Sequence, residues 1–222
     1  METKRVRVIG AGLAGSEAAL QLASFGFDVD LYEMRPEKPT PAHRGGALAQ
    51  LVCSNSFKGL ALTSAHGLLK NELNMLGSFL LKAAERTAVP AGESLTVNRD
   101  LFSEEVERLI LACPNITLHR EEVKTLEGEF PTIVAAGPLA SDTLADDIFK
   151  RLGSERLHFF DAIAPVVETE SIDFEHAFYK NRWEKGETED FINCPLDKET
   201  YDLFVQKLRE AESIEPRPFE KH

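Results

Sequence analysis

The sequence predicts an α/β fold built on a parallel sheet, and three features at its start carry that expectation. Val6-Arg7-Val8-Ile9 is a short β-rich run that leads into Gly10-Ala11-Gly12-Leu13-Ala14-Gly15. From Ser16 to Phe25, apolar residues fall at helical spacing (Ala18, Ala19, Leu22, Ala23, Phe25), and Gly26 sits where a helix C-cap belongs. Asp28-Val29-Asp30-Leu31-Tyr32-Glu33 then alternates at period two until Pro36 ends it. Strand, glycine turn, helix and strand make a βαβ unit, whose parallel strands need a crossover helix.

The remaining elements follow in order. From Arg35 to about Thr63 the chain is rich in Pro, Gly, Ser and Asn, and a loop of that length is usually functional or mobile. Leu68 to Ala88 reads as one helix, broken by Val89-Pro90-Ala91-Gly92. Asn98 to Ala112 reads as another, with Ser103 as its expected N-cap and Glu104 and Glu105 in the first turn. Ile116–His119 and Thr132–Ala135 are expected strands, the second running into Ala136-Gly137-Pro138. Beyond Phe159 the pattern changes to mixed short strands (163–167, 177–179, 191–193) and a helix from Lys198 to Ala211. The expected division is a first domain over 1–157 and the beginning of an inserted α+β domain over 158–222.

Composition excludes several classes. With 43% hydrophobic residues the chain buries a real core, and its 14 glycines and 11 prolines are too scattered for a fibrous or disordered protein. Cys53, Cys113 and Cys194 are odd in number and far apart, so neither a disulfide framework nor a zinc pattern is available. There is no 18-residue apolar stretch and no signal-peptide pattern, which leads to the expectation of a cytoplasmic chain without a membrane partner. Residues 1–100 carry a net charge of +1 and residues 101–222 one of −13. An acidic total argues against general nucleic-acid binding, DNA included, although a local patch in the first hundred residues stays open.

Gly10-x-Gly12-x-x-Gly15 gains weight from its place between a strand and a helix. Gly10 permits the tight turn, Gly12 lets backbone approach a pyrophosphate and Gly15 allows close helix–strand packing. The N–H groups of Ala11, Leu13 and Ala14 belong to the same turn, at a helix N-terminus that favours phosphate. Glu33 lies 18 residues past Gly15, where an acid can accept both ribose hydroxyls. The motif alone does not separate FAD from NAD. Its N-terminal position and Thr132-Ile133-Val134-Ala135-Ala136-Gly137, with Gly137 at a second turn, tilt toward a Rossmann-like FAD-binding fold of the two-dinucleotide-fold flavoprotein type. Cys53 lies in the polar loop beside Lys58 and not far from His43; it is either a nucleophile of lowered pKa or a small buried hydrophobe. Lys58, Lys70, Arg86 and Arg99, or Lys180, Arg182 and Lys185 around Trp183, either line a phosphate-facing surface or are ordinary solvated charge.

Several runs resemble the folate- and FAD-dependent tRNA (uracil-5-)-methyltransferase family. They are 8–19, Asp30-Leu31-Tyr32-Glu33-Met34-Arg35-Pro36, Thr40-Pro41-Ala42-His43 and Gln50-Leu51-Val52-Cys53-Ser54-Asn55-Ser56. Further on come Val89-Pro90-Ala91-Gly92, Gly137-Pro138-Leu139, Phe160-Asp161-Ala162, Ala164-Pro165 and Asn193-Cys194-Pro195. The resemblance implies a flavoprotein that moves the methylene carbon of 5,10-methylenetetrahydrofolate to C5 of the T-loop uridine in the T-arm of tRNA, with NAD(P)H as upstream reductant. It implies Cys53 as a catalytic thiol that activates uracil by adding at C6. The family's second cysteine sits in a Glu-Gly-Cys-Met-Pro segment without a counterpart here, and Cys194 matches a different segment. The expected reading is therefore an N-terminal portion, with weak FAD affinity and no methylation when alone, completed by a companion chain or descended from a truncated gene. Competing expectations are a simple FAD- or NAD-dependent oxidoreductase, a non-catalytic tRNA- or nucleotide-binding homologue, and a relative acting on ribosomal RNA.

Overall fold

The computed structural model describes residues 4–153, 167–181 and 189–212. Strand β1 (Arg5–Ile9) passes through the glycine turn into α1 (Leu13–Ser24), and β2 (Asp28–Tyr32) returns parallel to β1, Val8 opposite Leu31. The helix ends as its sequence requires: Gly26 adopts φ +80°, and the N–H groups of Gly26 and Phe27 close on the carbonyls of Ala23 and Leu22. Next come β3 (Ser56–Gly59), α2 (Ala65–Met75), α3 (Phe79–Arg86), β4 (Ala88–Val89), β5 (Ser94–Val97) and α4 (Arg99–Leu111). Then follow β6 (Ile116–His119), β7 (Thr132–Val134) and α5 (Asp142–Leu152).

One sheet has the order β6-β2-β1-β7, with every pairing parallel. A second, antiparallel sheet runs β3-β5-β4, and β3 carries a register shift between Ser56 and Gly59. The core lies between the parallel sheet and helices α1, α3 and α4. Val8, Val29 and Leu31 meet Ala19, Leu20, Leu81, Ala84, Phe102, Val106 and Ile110 there, all buried. Each such Val, Leu, Ile or Phe contributes about 1.5–3 kcal/mol.

Four expectations are corrected. The single helix over 68–88 is two, because Gly77 at φ +80° turns the chain and Ser78 starts a new helix by accepting the Leu81 N–H. The N-cap of α4 is Asn98, whose Oδ1 accepts from the N–H groups of Asp100 and Leu101, whereas Ser103 is buried inside the helix. The segment from Arg35 to Thr63 contains β3, and its first part is pinned: Arg120 Nη1 donates to the carbonyls of Arg35 and Gly46. Helix α5 lies where none was expected, capped by Ser141 and closed by Gly153 at φ +64°.

The chain divides into two compact units, Met1–Val89 with Ser94–Phe159 and Pro90–Glu93 with Phe160–His222. In the second unit, a 3-10 turn (Thr169–Ser171) precedes the antiparallel pair β8 (Phe178–Tyr179) and β9 (Ile192–Asn193) and helix α6 (Lys198–Glu210). Asp190 there accepts the Gly92 N–H at 2.6 Å, and its own N–H donates to Asn181 Oδ1. Most of the strand expected over 163–167, the expected boundary at 157/158 and residues 182–185 lie outside the described residues.

Candidate functional site

The parallel order places β2 on one side of β1 and β7 on the other, so the chain leaving β1 faces a switch point, the usual ligand position in open α/β sheets. A cleft of about 310 Å³ opens there. Gly10, Gly12, Leu13, Ala14, Glu33 and Gly137 all line it. Ala11 and Gly15 stand behind its wall as buried residues.

Two glycines are required by the turn itself. Gly10 has φ +96°, and a Cβ there would lie 2.6 Å from the Ala136 Cα. A Cβ on Gly15 would lie 1.7 Å from the Gly10 carbonyl oxygen. Gly12 differs: it is the α1 N-cap at φ −73°, and a Cβ there would meet nothing within 4 Å. No side chain caps α1 and no acid stands in its first turn, while the first helical hydrogen bond runs from the Ser16 N–H to the Gly12 carbonyl. The preceding N–H groups have no acceptor within the helix, and open space lies before them. A diphosphate fits this cradle in shape and in charge.

Glu33 stands across from the turn, 5% exposed. Its Oε2 accepts the Ala11 N–H at 3.1 Å; its Oε1 accepts both the Arg35 N–H at 3.0 Å and Arg35 Nε at 2.8 Å. Burial pushes the Glu33 carboxyl up, but the Arg35 hydrogen bonds and charge, with the Ala11 N–H, outweigh it and hold the group below the usual carboxylate range. His43 also lines the cleft, its Nδ1 2.6 Å from Thr40 Oγ1. Burial and then the Arg35 cation push the imidazole down, which favours its neutral form.

Cys53 is exposed and is not among the residues lining the cleft, although its neighbour Val52 is. The structure thus brings the glycine turn, Glu33 and Gly137 together and sets Cys53 one residue off their wall. The loop reaches this position because Ala49, at φ 48°, donates its N–H to the Ala11 carbonyl. Neither Lys70 nor Arg86 lines the cleft. Lys70 Nζ is buried on the carbonyls of Phe57 and His66, and Arg86 pairs with Glu105 at 2.7 Å. Arg35 and Thr40, quoted above only within family-resembling runs, are among the cleft residues to which sequence reasoning gave no role, as are Glu121, Glu122 and Ser141. The signal for Arg35 was a cation two residues past the acid. Among the described residues no group of three or more His, Cys, Asp or Glu side chains could hold a metal ion.

The chain is 49% identical over 219 residues to the methylenetetrahydrofolate--tRNA-(uracil-5-)-methyltransferase TrmFO of Lactobacillus helveticus, covering 99% of this chain and 54% of that protein. It is 50% identical over 218 residues to the Aquifex aeolicus protein of the same name, covering 98% and 49%. The chain therefore spans about half the length of the curated relatives it matches. Among solved structures, Aquifex aeolicus GidA aligns with a TM-score of 0.45 at 21% identity over 56% of this chain and 20% of that one. A family model described as glucose inhibited division protein A matches residues 5–222, nearly the whole sequence, and the chain belongs to that family.

Proposed function

We propose that the cleft holds the ADP moiety of FAD, and that this chain serves folate-dependent methylation at C5 of the T-loop uridine of tRNA. The observation that carries the reading is the bare N-terminus of α1, open at Gly12 and faced by Glu33. The name shared by the relatives from Lactobacillus helveticus and Aquifex aeolicus supports the substrates. Bound FAD would supply hydride and redox chemistry for the methylene carbon of 5,10-methylenetetrahydrofolate, with NAD(P)H as the upstream reductant. In this reading the N–H groups of Leu13 and Ala14 donate to the diphosphate and Glu33 accepts from the ribose, while Gly10, Ala11, Gly15 and Gly137 shape the turns. Cys53 adds as thiolate to C6 of uracil, which moves electron density to C5 and makes that carbon a nucleophile. C5 then bonds to the methylene carbon, and loss of the C5 proton to a base with release of the carrier amine leaves a C5 methylene. Hydride that bound FAD would supply adds there as the Cys53 thiolate leaves C6, which restores the 5,6 double bond.

The proposed partners are the tRNA T-arm and a polypeptide equivalent to the further length the relatives have. The proposed setting is the cytoplasm. No helix among the described residues is long and apolar enough to cross a membrane.

The test combines the purified chain with the remaining half of the Aquifex aeolicus relative, the folate, NADPH and a tRNA transcript, and reads 5-methyluridine by mass spectrometry. Product is expected, and Cys53→Ala is expected to lower its rate by about a thousandfold or more. Undiminished product with Cys53→Ala removes the nucleophile, and no product with the unaltered chain removes the activity.

A further inference from the structure

Arg35 is a cation that the glycine-turn motif does not call for. It is 3% exposed yet lines the cleft. Its Nη1 is fully buried and is, among the described residues, the side-chain atom of that kind with no hydrogen-bond partner. A fold does not gain stability by burying a guanidinium N–H unmet, so its place asks for another reason.

The bonding of Glu33 gives that reason. An ionised carboxylate offers about four acceptor sites, two on each oxygen. Oε1 takes the Arg35 N–H and Arg35 Nε, which fills it. Oε2 takes the Ala11 N–H and keeps one site. We propose that Arg35 determines which part of the ribose is read: by occupying Oε1 with two donors, it leaves Glu33 a single acceptor, Oε2, for a single hydroxyl. This deepens the reading of the cleft as a nucleoside diphosphate site and rests on it.

The surroundings agree. His43 is engaged by Thr40 Oγ1 at 2.6 Å and is held toward its neutral form, so its imidazole does not compete with Arg35 for Glu33 as a cation. The Arg35 backbone is fixed from the other side, its carbonyl accepting from Arg120 Nη1 at 3.1 Å, and Arg120 Nη2 reaches Glu107 at 2.7 Å. The backbone that carries the guanidinium is therefore held in place beside Glu33. Arg35 acts through Glu33 and is a positioning residue.

The experiment measures the Kd of ADP, 2′-deoxy-ADP and 3′-deoxy-ADP for the whole chain by calorimetry, with Arg35→Met and Arg35→Lys alongside. For the unaltered chain, one deoxy analogue is expected to bind about tenfold more weakly than ADP and the other within about twofold. Arg35→Met frees a site on Oε1, so both analogues are expected to bind more weakly than ADP. Arg35→Lys loses the Nε donor to Oε1, so it too is expected to weaken both analogues relative to ADP, and it carries the test should Arg35→Met fail to give a cooperative thermal transition. A chain that binds ADP but penalises both deoxy analogues equally, or a selectivity unchanged in both variants, overturns the assignment to Arg35. Failure of the folded, unaltered chain to bind ADP at all overturns instead the nucleotide reading beneath it.

Discussion

Helices α1 and α3 lie side by side in the same core and begin in opposite ways. At α3, the Ser78 hydroxyl accepts the Leu81 N–H, and Glu17 reaches across from α1 to accept the N–H groups of Phe79 and Leu80 and the Ser78 hydroxyl itself. At α1, Gly12 offers no side chain and nothing else steps in. The α2, α4, α5 and α6 helices are also capped, by Ser64, Asn98, Ser141 and Asp197. Exposed donors normally find a partner at a helix start. One sequence therefore contains both answers: donors closed off by the protein, and donors left uncapped beside the cleft.

The largest effect that sharpens this contrast is at the turn. Gly15→Ala sets a methyl group on the Gly10 carbonyl and is expected to cost roughly 3 kcal/mol of stability in urea unfolding. Gly12→Ala is expected to cost about 1 kcal/mol or less, because its methyl group meets no protein atom, yet to weaken ADP binding about tenfold or more by filling the open space. Equal losses of stability at the two positions would break the distinction. Next in size, Glu17→Ala is expected to cost about 1–2 kcal/mol through the start of α3 and to leave the Kd for ADP unchanged. A loss of ADP binding there would show the two helix starts to be coupled.

The smallest effect is a pH dependence. Since the folded state holds the Glu33 carboxyl below its ordinary range, its share of stability is complete above the unfolded pKa and is lost as pH falls through the folded one. The difference in stability between the unaltered chain and Glu33→Gln is expected to be flat above about pH 5 and to shrink on acidification below it. A difference that persists unchanged well below that range would mean that Arg35 does not hold the carboxylate.

The βαβ start was legible because each of its signals repeats the others: Val8 and Leu31 alternate into the core, Ala19 and Ala23 share a helix face, and Gly26 stops the helix. The positions of Glu33 and Gly137 in the cleft follow from the same spacing. What the sequence hid was set by partners far along the chain. β3 has a single large apolar residue, Phe57, and exists because β5 pairs with it forty residues later. Ser103 resembles a cap as well as Asn98 does in sequence, and only the structure, with Ser103 buried and Asn98 Oδ1 accepting from Asp100 and Leu101, distinguishes them. Helix α5 went unseen because Gly137-Pro138 reads as an ending, although Ser141 and Gly153 bracket it with good start and stop residues. Arg35 received no role from the sequence, because nothing local shows that its guanidinium will be buried against Glu33.

Strand β7 forms one margin of the parallel sheet, and both Ile133 and Val134 keep about two-fifths of their surface open to water. A margin of three residues is short, which blunts it as a template for another strand, but its side chains are greasy. Against that stands a net charge of −12, which keeps copies apart at low ionic strength. Colloidal behaviour is thus a contest between repulsion that salt screens and adhesion that salt does not, and the chain is expected to stay dispersed best in dilute buffer.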